Sequence, residues 1–174
     1  MKFELTRSIE VLERAPSVLR AMLNGLSDEW IRCNEGKDTW SPYDVIGHLI
    51  HGEKTDWIPR MEIILSDSTN KTFAPFDRFA QFAESKSKPL QQLLDEFADL
   101  RRKNIDHLLA KRISEKDLVK TGIHPAFGQV TLSQLLSTWV VHDLDHISQI
   151  SRVMSKQYKE QVGPWIEYLR VLNS

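Results

Sequence analysis

An all-α four-helix bundle is the fold that this sequence predicts, and three observations predict it. Apolar residues recur at steps of three and four over four long stretches, the mark of amphipathic helices. No stretch makes a convincing strand. Two histidines, His142 and His146, fall on the apolar face of the last long helix, and helical bundles build sites from inward side chains on facing helices.

The first helix covers residues 5 to about 24, with Leu5, Ile9, Leu12, Leu19, Met22 and Leu23 on its stripe. Pro16 interrupts it, which predicts a kink or a fresh start, and Gly25 is a natural stop. Residues 26–39 have no period and read as a connection with Trp30 tucked beneath it. Trp40-Ser41-Pro42-Tyr43-Asp44 is a helix start. Ser41 caps, Pro42 suits the first position and Asp44 puts a carboxylate at the positive end. The second helix then runs through Val45, Leu49, Trp57 and Ile64. On it His48 borders the apolar sector, while His51 points well away and reads as exposed. Glu53 falls among Ile46, Leu49, Ile50 and Trp57, an odd place for a lone carboxylate. It is either a snorkelling rim residue or a support behind a site.

Residues 67–87 form a polar connection that carries Phe73, Phe76, Phe79 and Phe82. Extra cover for the core is the simpler reading of these rings; a ligand-binding box is the other. Pro89 opens the third helix, with Leu93, Phe97, Ile105 and Leu108 on its stripe. It shows no inward polar cluster and reads as structural, with His107 beside Asp106 solvated. A linker with Gly122, His124-Pro125 and Gly128 leads to Thr131, which makes a capping box with Gln134 for the fourth helix. Gly163-Pro164 breaks the chain before a short last segment. No repeat, low-complexity tract or boundary interrupts the pattern, so residues 1–174 read as one domain.

Composition narrows the function classes. A length of 174 residues allows a sizeable core, and 41% hydrophobic with 27% charged residues is ordinary for a globular protein. Lys+Arg 23 against Asp+Glu 24 gives a net charge of −1, without a dense basic run, which argues against nucleic acid as a partner. Cys33 is the single cysteine; it excludes an internal disulfide and suits a reducing cytosol. The opening Met-Lys-Phe-Glu-Leu-Thr-Arg lacks a signal-like apolar run, and no span reaches membrane length. A cytoplasmic protein without a membrane partner is expected.

The chemistry concentrates on three imidazoles. His142 and His146 are four apart and lie one above the other, on the face that carries Leu135, Trp139, Ile150 and Val153. A polar group taken from water without a partner costs a few kcal/mol, so either neighbours satisfy these rings or they hold a metal. His48, facing them from the second helix, is the best third ligand. One divalent ion would satisfy three neutral rings at once. Three protein ligands leave a position open, as catalytic sites do, whereas structural zinc usually has four. Asp143 either orients a ligand imidazole or, like Asp145, is a solvated helix residue. Trp40, His124 and Trp139 are expected neighbours of the pocket. Because metal ligands must be neutral, affinity is expected to fall below roughly pH 6, near the ordinary histidine pKa.

With these blocks assembled, the chain resembles the DinB / YfiT-like superfamily of four-helix bundles with a metal-binding histidine triad. The resemblance covers nearly the whole chain. It rests on Trp40-Ser41-Pro42 leading into Val45-Ile46-Gly47-His48-Leu49, on His124-Pro125 with Gly128 and Thr131, and on His142-x-x-x-His146 followed by Gln149-Ile150. It implies an up-down-down-up bundle, often a homodimer, with a divalent ion such as zinc or nickel on His48, His142 and His146. The activities it implies use a small-molecule substrate: S-transfer with a low-molecular-weight thiol as cosubstrate, or metal-dependent hydrolysis. No residue is assigned as catalytic acid or base. A non-enzymatic, stress-associated metal-binding bundle is the alternative.

Overall fold

The computed structural model describes residues 2–173. Its first arm is a helix pair, α1 (Leu5–Leu12) and α2 (Ala15–Leu23). The chain restarts where Pro16 occupies the first turn of α2, a position whose N–H has no partner within the helix in any case. A single-turn α3 (Asp28–Ile31) follows, and Ser41 then caps α4 (Pro42–Thr55). The Asp44 N–H donates to the Ser41 hydroxyl, and the Ser41 N–H donates to the Asp44 carboxylate at 2.9 Å. The sequence predicts one helix through Ile64, but the structure breaks it at Asp56 and starts α5 (Trp57–Leu65). Pro59 supplies the reason: it lacks the N–H that would bond the Thr55 carbonyl, and its ring crowds that carbonyl.

The second half holds α6 (Ala80–Glu84), the long α7 (Leu90–Ala110), a one-turn α8 (Glu115–Leu118) and the longest helix, α9 (Leu132–Lys156). Thr131 and Gln134 form the expected capping box at its start. Two 3-10 turns, Gly163–Tyr168 and Arg170–Leu172, end the described chain. The bundle arms are therefore α1/α2, α4/α5, α7 and α9.

Side-chain pairs along the arms fix their directions. Lys54 meets Glu96 and Lys111 meets Glu62, so α4/α5 and α7 run parallel. Arg20 meets Asp95 while Arg101 reaches the Leu12 carbonyl, so α1/α2 and α7 are antiparallel. His48 faces His142 and Glu53 faces Trp139, so α4 and α9 are antiparallel too. The order is up-down-down-up. Two adjacent parallel helices cannot be joined by a tight turn, and residues 66–89 provide the long crossover.

One element departs from the all-helical expectation. Residues 121–131 form a hairpin, β1 (Thr121–His124) with β2 (Gly128–Thr131), paired from Thr121–Thr131 to His124–Gly128. Gly128 closes its three-residue loop at φ +71, the left-handed conformation such loops end on. Strands of four residues are too short to display alternation, which hid them in the sequence. The crossover docks on this hairpin: the Phe73 N–H donates to the Ile123 carbonyl and the Ile123 N–H to the Lys71 carbonyl, each at 2.9 Å. Gly122 makes the approach possible, since a Cβ there would meet the Phe73 ring at 2.5 Å.

The apolar interior is divided in two. One half gathers Leu12, Met61, Leu108 and Trp139; the other gathers Leu19, Ile46, Phe97 and Ile150. On each of α4, α7 and α9 the residues between the halves are polar: Glu53, Arg101, and His142 with Asp143 and His146. That layer carries the candidate site.

Candidate metal centre

The three predicted imidazoles come together across α4 and α9. His142 Nε2 lies 3.1 Å from His48 Nε2 and 3.1 Å from His146 Nε2. One nitrogen from each ring falls within 4.8 Å of the others. For ligand bonds of about 2.0–2.1 Å, tetrahedral neighbours lie roughly 3.3 Å apart, so the spacing suits one shared ion.

Protons alone do not satisfy this cluster. His146 Nδ1 donates to the Gln149 side-chain carbonyl at 2.7 Å, which leaves His146 Nε2 as a bare acceptor. His142 Nε2 can donate to it, but His142 Nδ1 then carries a lone pair that is buried without a partner. His48 Nδ1 is buried and unpartnered as well. Burial, followed by the charges of neighbouring histidines, pushes His48 down to about 3 and His142 down to about 2. Burial also lowers His146. The rings are neutral at physiological pH, the form in which imidazole binds metals.

The aromatic surroundings are specific. Trp40 is half-buried with its ring 4.8 Å from His48 and nearly parallel to His146. Phe76 meets His48 edge-on, and Trp57 meets His142 in the same manner. A cavity of about 920 Å³ opens above His48 and His146, with Trp40, Phe76, Arg78, His124 and Phe127 among its walls. His124 lines this cavity. Its Nδ1 accepts the N–H groups of Ala126 and Phe127 at 3.1 and 3.2 Å, which leaves Nε2 to carry the proton of the neutral ring. A smaller space of about 190 Å³, which shares His124 and Phe127 with the large one, reaches His142 past Asp56, Arg60 and Thr138.

Several predicted roles are corrected. Trp139 is fully buried behind the site and does not line the large cavity; its indole N–H donates to Glu53 at 2.9 Å. Asp143 is neither solvated nor bonded to an imidazole. It is 1% exposed and takes both Arg101 terminal nitrogens, at 2.5 and 3.0 Å. Glu53 is not at a rim either: it is buried, accepts from Arg101 at 2.8 Å and from the Asn104 amide at 2.9 Å. These two carboxylates outweigh the burial of Arg101 and push its pKa up. The third helix thus has an inward polar cluster after all. The signal was present: Arg101 stands at a core register between Phe97 and Ile105, as Asp143 stands between Trp139 and Ile150.

His51 is buried, not exposed. Its Nδ1 meets Glu84 at 3.0 Å and its ring lies against Phe76. The crossover covers the outer face of α4, with Gly47 so close to α6 that a Cβ would sit 2.4 Å from the Ser85 hydroxyl. A helical wheel does not register cover supplied from outside the bundle. Phe73 is core, Phe76 is cavity wall, and Phe79 and Phe82 are exposed. His107 is exposed as predicted, paired with Glu62.

The sequence model of the DinB superfamily matches residues 11–150. The chain belongs to the DinB superfamily. Its structure resembles that of YfiT from Bacillus subtilis, described as a probable metal-dependent hydrolase with an unusual four-helix bundle topology. The TM-score is 0.73 at 19% identity, over 87% of this chain and 86% of that one. A DinB-like protein from Bacillus cereus ATCC 10987 superposes with a TM-score of 0.52 at 19% identity, over 90% and 95% of the two chains. At these identities the likeness concerns the fold. No curated protein matches the sequence. Among the described residues of this DinB-superfamily chain, no helix is long and apolar enough to cross a membrane.

Proposed function

We propose that this protein is a metal-dependent enzyme that acts on a small organic molecule, with His48, His142 and His146 holding one divalent ion. The observation that carries this reading is the convergence of three neutral imidazole nitrogens whose lone pairs the chain itself cannot satisfy. Zinc and nickel both suit imidazole ligands. When bound, such an ion lowers the pKa of a water or thiol beside it and supplies a nucleophile at neutral pH.

The chain's own residues do the rest. Three ligands, not four, favour an open site over a purely structural one. Gln149 fixes the tautomer of His146 by accepting its Nδ1 proton, as partners of metal-bound histidines commonly do. Trp40 and Phe76 shield the imidazoles from bulk water. His124 presents an Nε2–H to a molecule in the cavity, free to donate to an oxygen or a leaving group. Hydrolysis is the favoured reaction class, in line with the description of YfiT. S-transfer is the second reading: a cavity of about 920 Å³ has room for a thiol cosubstrate beside a small substrate.

Elemental analysis of the purified, untagged protein tests the reading beside His48→Ala and His146→Ala. The expected result is about one metal per chain in the wild type, lost in both variants while helical content persists. Ester-hydrolysis and thiol-transfer screens with that metal then separate the two reaction classes. Absence of metal after incubation with zinc, nickel and manganese would discard the proposal.

A further inference from the structure

Four charged side chains line the large cavity: Glu35, Asp38, Arg78 and Arg152. Two of them cancel. Arg152 is gripped by Glu35 through two contacts of 2.8 Å, and that guanidinium, helped by Lys156, holds the Glu35 carboxyl down to about 2. Arg78 and Asp38 have no ion-pair or hydrogen-bonding partner for their side chains among the described residues.

These two unpaired charges are not equivalent. Asp38 lies on the exposed loop before Trp40, at a left-handed φ of 63, and packs on no aromatic ring of the site. Arg78 is poised at the site. Its guanidinium carbon lies 5.6 Å from the Trp40 ring centroid and 5.6 Å from that of Phe79, and Trp40 itself packs on His48. Its charge also contributes to the lowering of His48. A guanidinium steadied by aromatic faces and free of carboxylates keeps its donors for a ligand. Carboxylates and phosphates match that fork with paired, charge-assisted hydrogen bonds. A divalent ion on the histidines would add positive charge to the same cavity floor and favour an anion further.

We propose that the cavity binds a small organic anion, a carboxylate or a phosphate monoester on a flat apolar body, with Arg78 as its anchor and Trp40, Phe76 and Phe127 as its walls. This inference names the substrate class of the site and rests on the reading given under Proposed function. Arg78 is the specificity-determining residue: it selects the anion and turns the rest of the molecule toward the histidines.

The test is titration of benzoate, phenylphosphonate and neutral benzyl alcohol into metal-free and zinc-loaded protein, followed by calorimetry and tryptophan fluorescence. At least one anion is expected to bind about tenfold or more tightly than benzyl alcohol, the scale of a hydrogen bond to a charged group. Arg78→Gln should remove that advantage and leave benzyl alcohol binding unchanged, while Arg78→Lys restores part of it. The tighter of the two anions identifies carboxylate or phosphate as the group read. Equal binding of the anions by Arg78→Gln and wild type would overturn the proposal, as would benzyl alcohol binding as tightly as both anions or no saturable binding of either. Metal content is measured on the same samples. A protein that holds none of zinc, nickel and manganese removes the metal-enzyme reading, while the Arg78-dependent difference in the metal-free protein still decides the anion site.

Discussion

Removing Arg101 would strand two carboxylates, Glu53 and Asp143, in a layer where both are almost fully buried. Breaking a buried ion network by deleting one partner typically costs about 3–5 kcal/mol, because the remaining charge is left uncompensated. Arg101→Met is expected to lose stability on that scale in urea denaturation. Arg101→Lys should recover only part of it, since an ammonium cannot span Asp143, Glu53 and the Leu12 carbonyl together. A loss below about 1 kcal/mol for Arg101→Met would mean that the network contributes no more than a surface pair. His124 offers a second check at this scale. Nitrogen-15 NMR should find its proton on Nε2, given that Nδ1 accepts two backbone N–H groups; an Nδ1–H tautomer would contradict the loop geometry. The triad was legible in the sequence because the rings break an apolar stripe. Arg101 broke one as well, but a long aliphatic stem on a helix face is ordinarily read as snorkelling. Only its pairing with carboxylates from two other helices shows otherwise.

The helices were legible wherever a cap and a period agreed. Ser41 with Asp44 and Thr131 with Gln134 mark the two helices that carry the histidines. Thr131→Ala should cost roughly 1 kcal/mol, a usual value for a lost N-cap, and lower the thermal midpoint accordingly. A larger effect is expected from Gly122→Ala. The added methyl meets a buried Phe73 ring at 2.5 Å and Ile64 at 3.0 Å, and overpacking of this kind costs about 1–3 kcal/mol. Hydrogen exchange should show residues 71–73 and 121–124 opening together in that variant; unchanged protection would mean the crossover absorbs the methyl. The hairpin and the break at Asp56 were not legible. Both follow from local backbone needs, a left-handed Gly128 and a proline two residues past a helix start, which side-chain periodicity does not report.

The acid response belongs to the whole molecule. His48 and His142 are pushed down to about 3 and about 2 in the folded state, whereas an unfolded chain protonates histidine near 6.5. As pH falls below that value the unfolded state takes up protons first, so stability of the metal-free protein declines with falling pH until the folded rings titrate. Asp56, raised to about 6 chiefly by burial, acts in the opposite sense between about 4 and 6, as does Asp143 above its ordinary value, raised by burial against the pull of Arg101; three lowered histidines oppose these two carboxylates. Thermal melts of chelator-treated protein between about pH 7 and 4.5 should therefore show a falling midpoint, with a shallower slope in His142→Gln. A flat profile in the wild type would place the histidines in solvent. The same lowering revises the sequence-based expectation for metal retention. Protons compete poorly for such reluctant rings, so loss should begin below the roughly pH 6 expected of free histidine, as dialysis at graded pH followed by elemental analysis would reveal. The direction of the arms has one more effect. Because its second and third arms run parallel, the chain must travel back along the molecule through residues 66–89, and that return path, with Phe76 and Arg78 upon it, screens the imidazoles together with the hairpin. An up-down-up-down bundle with short loops would expose the same triad to water. In the proposed enzyme, ligation and selectivity would be written on separate segments, so that exchanging the return path is expected to change the guest while leaving the three nitrogens in place.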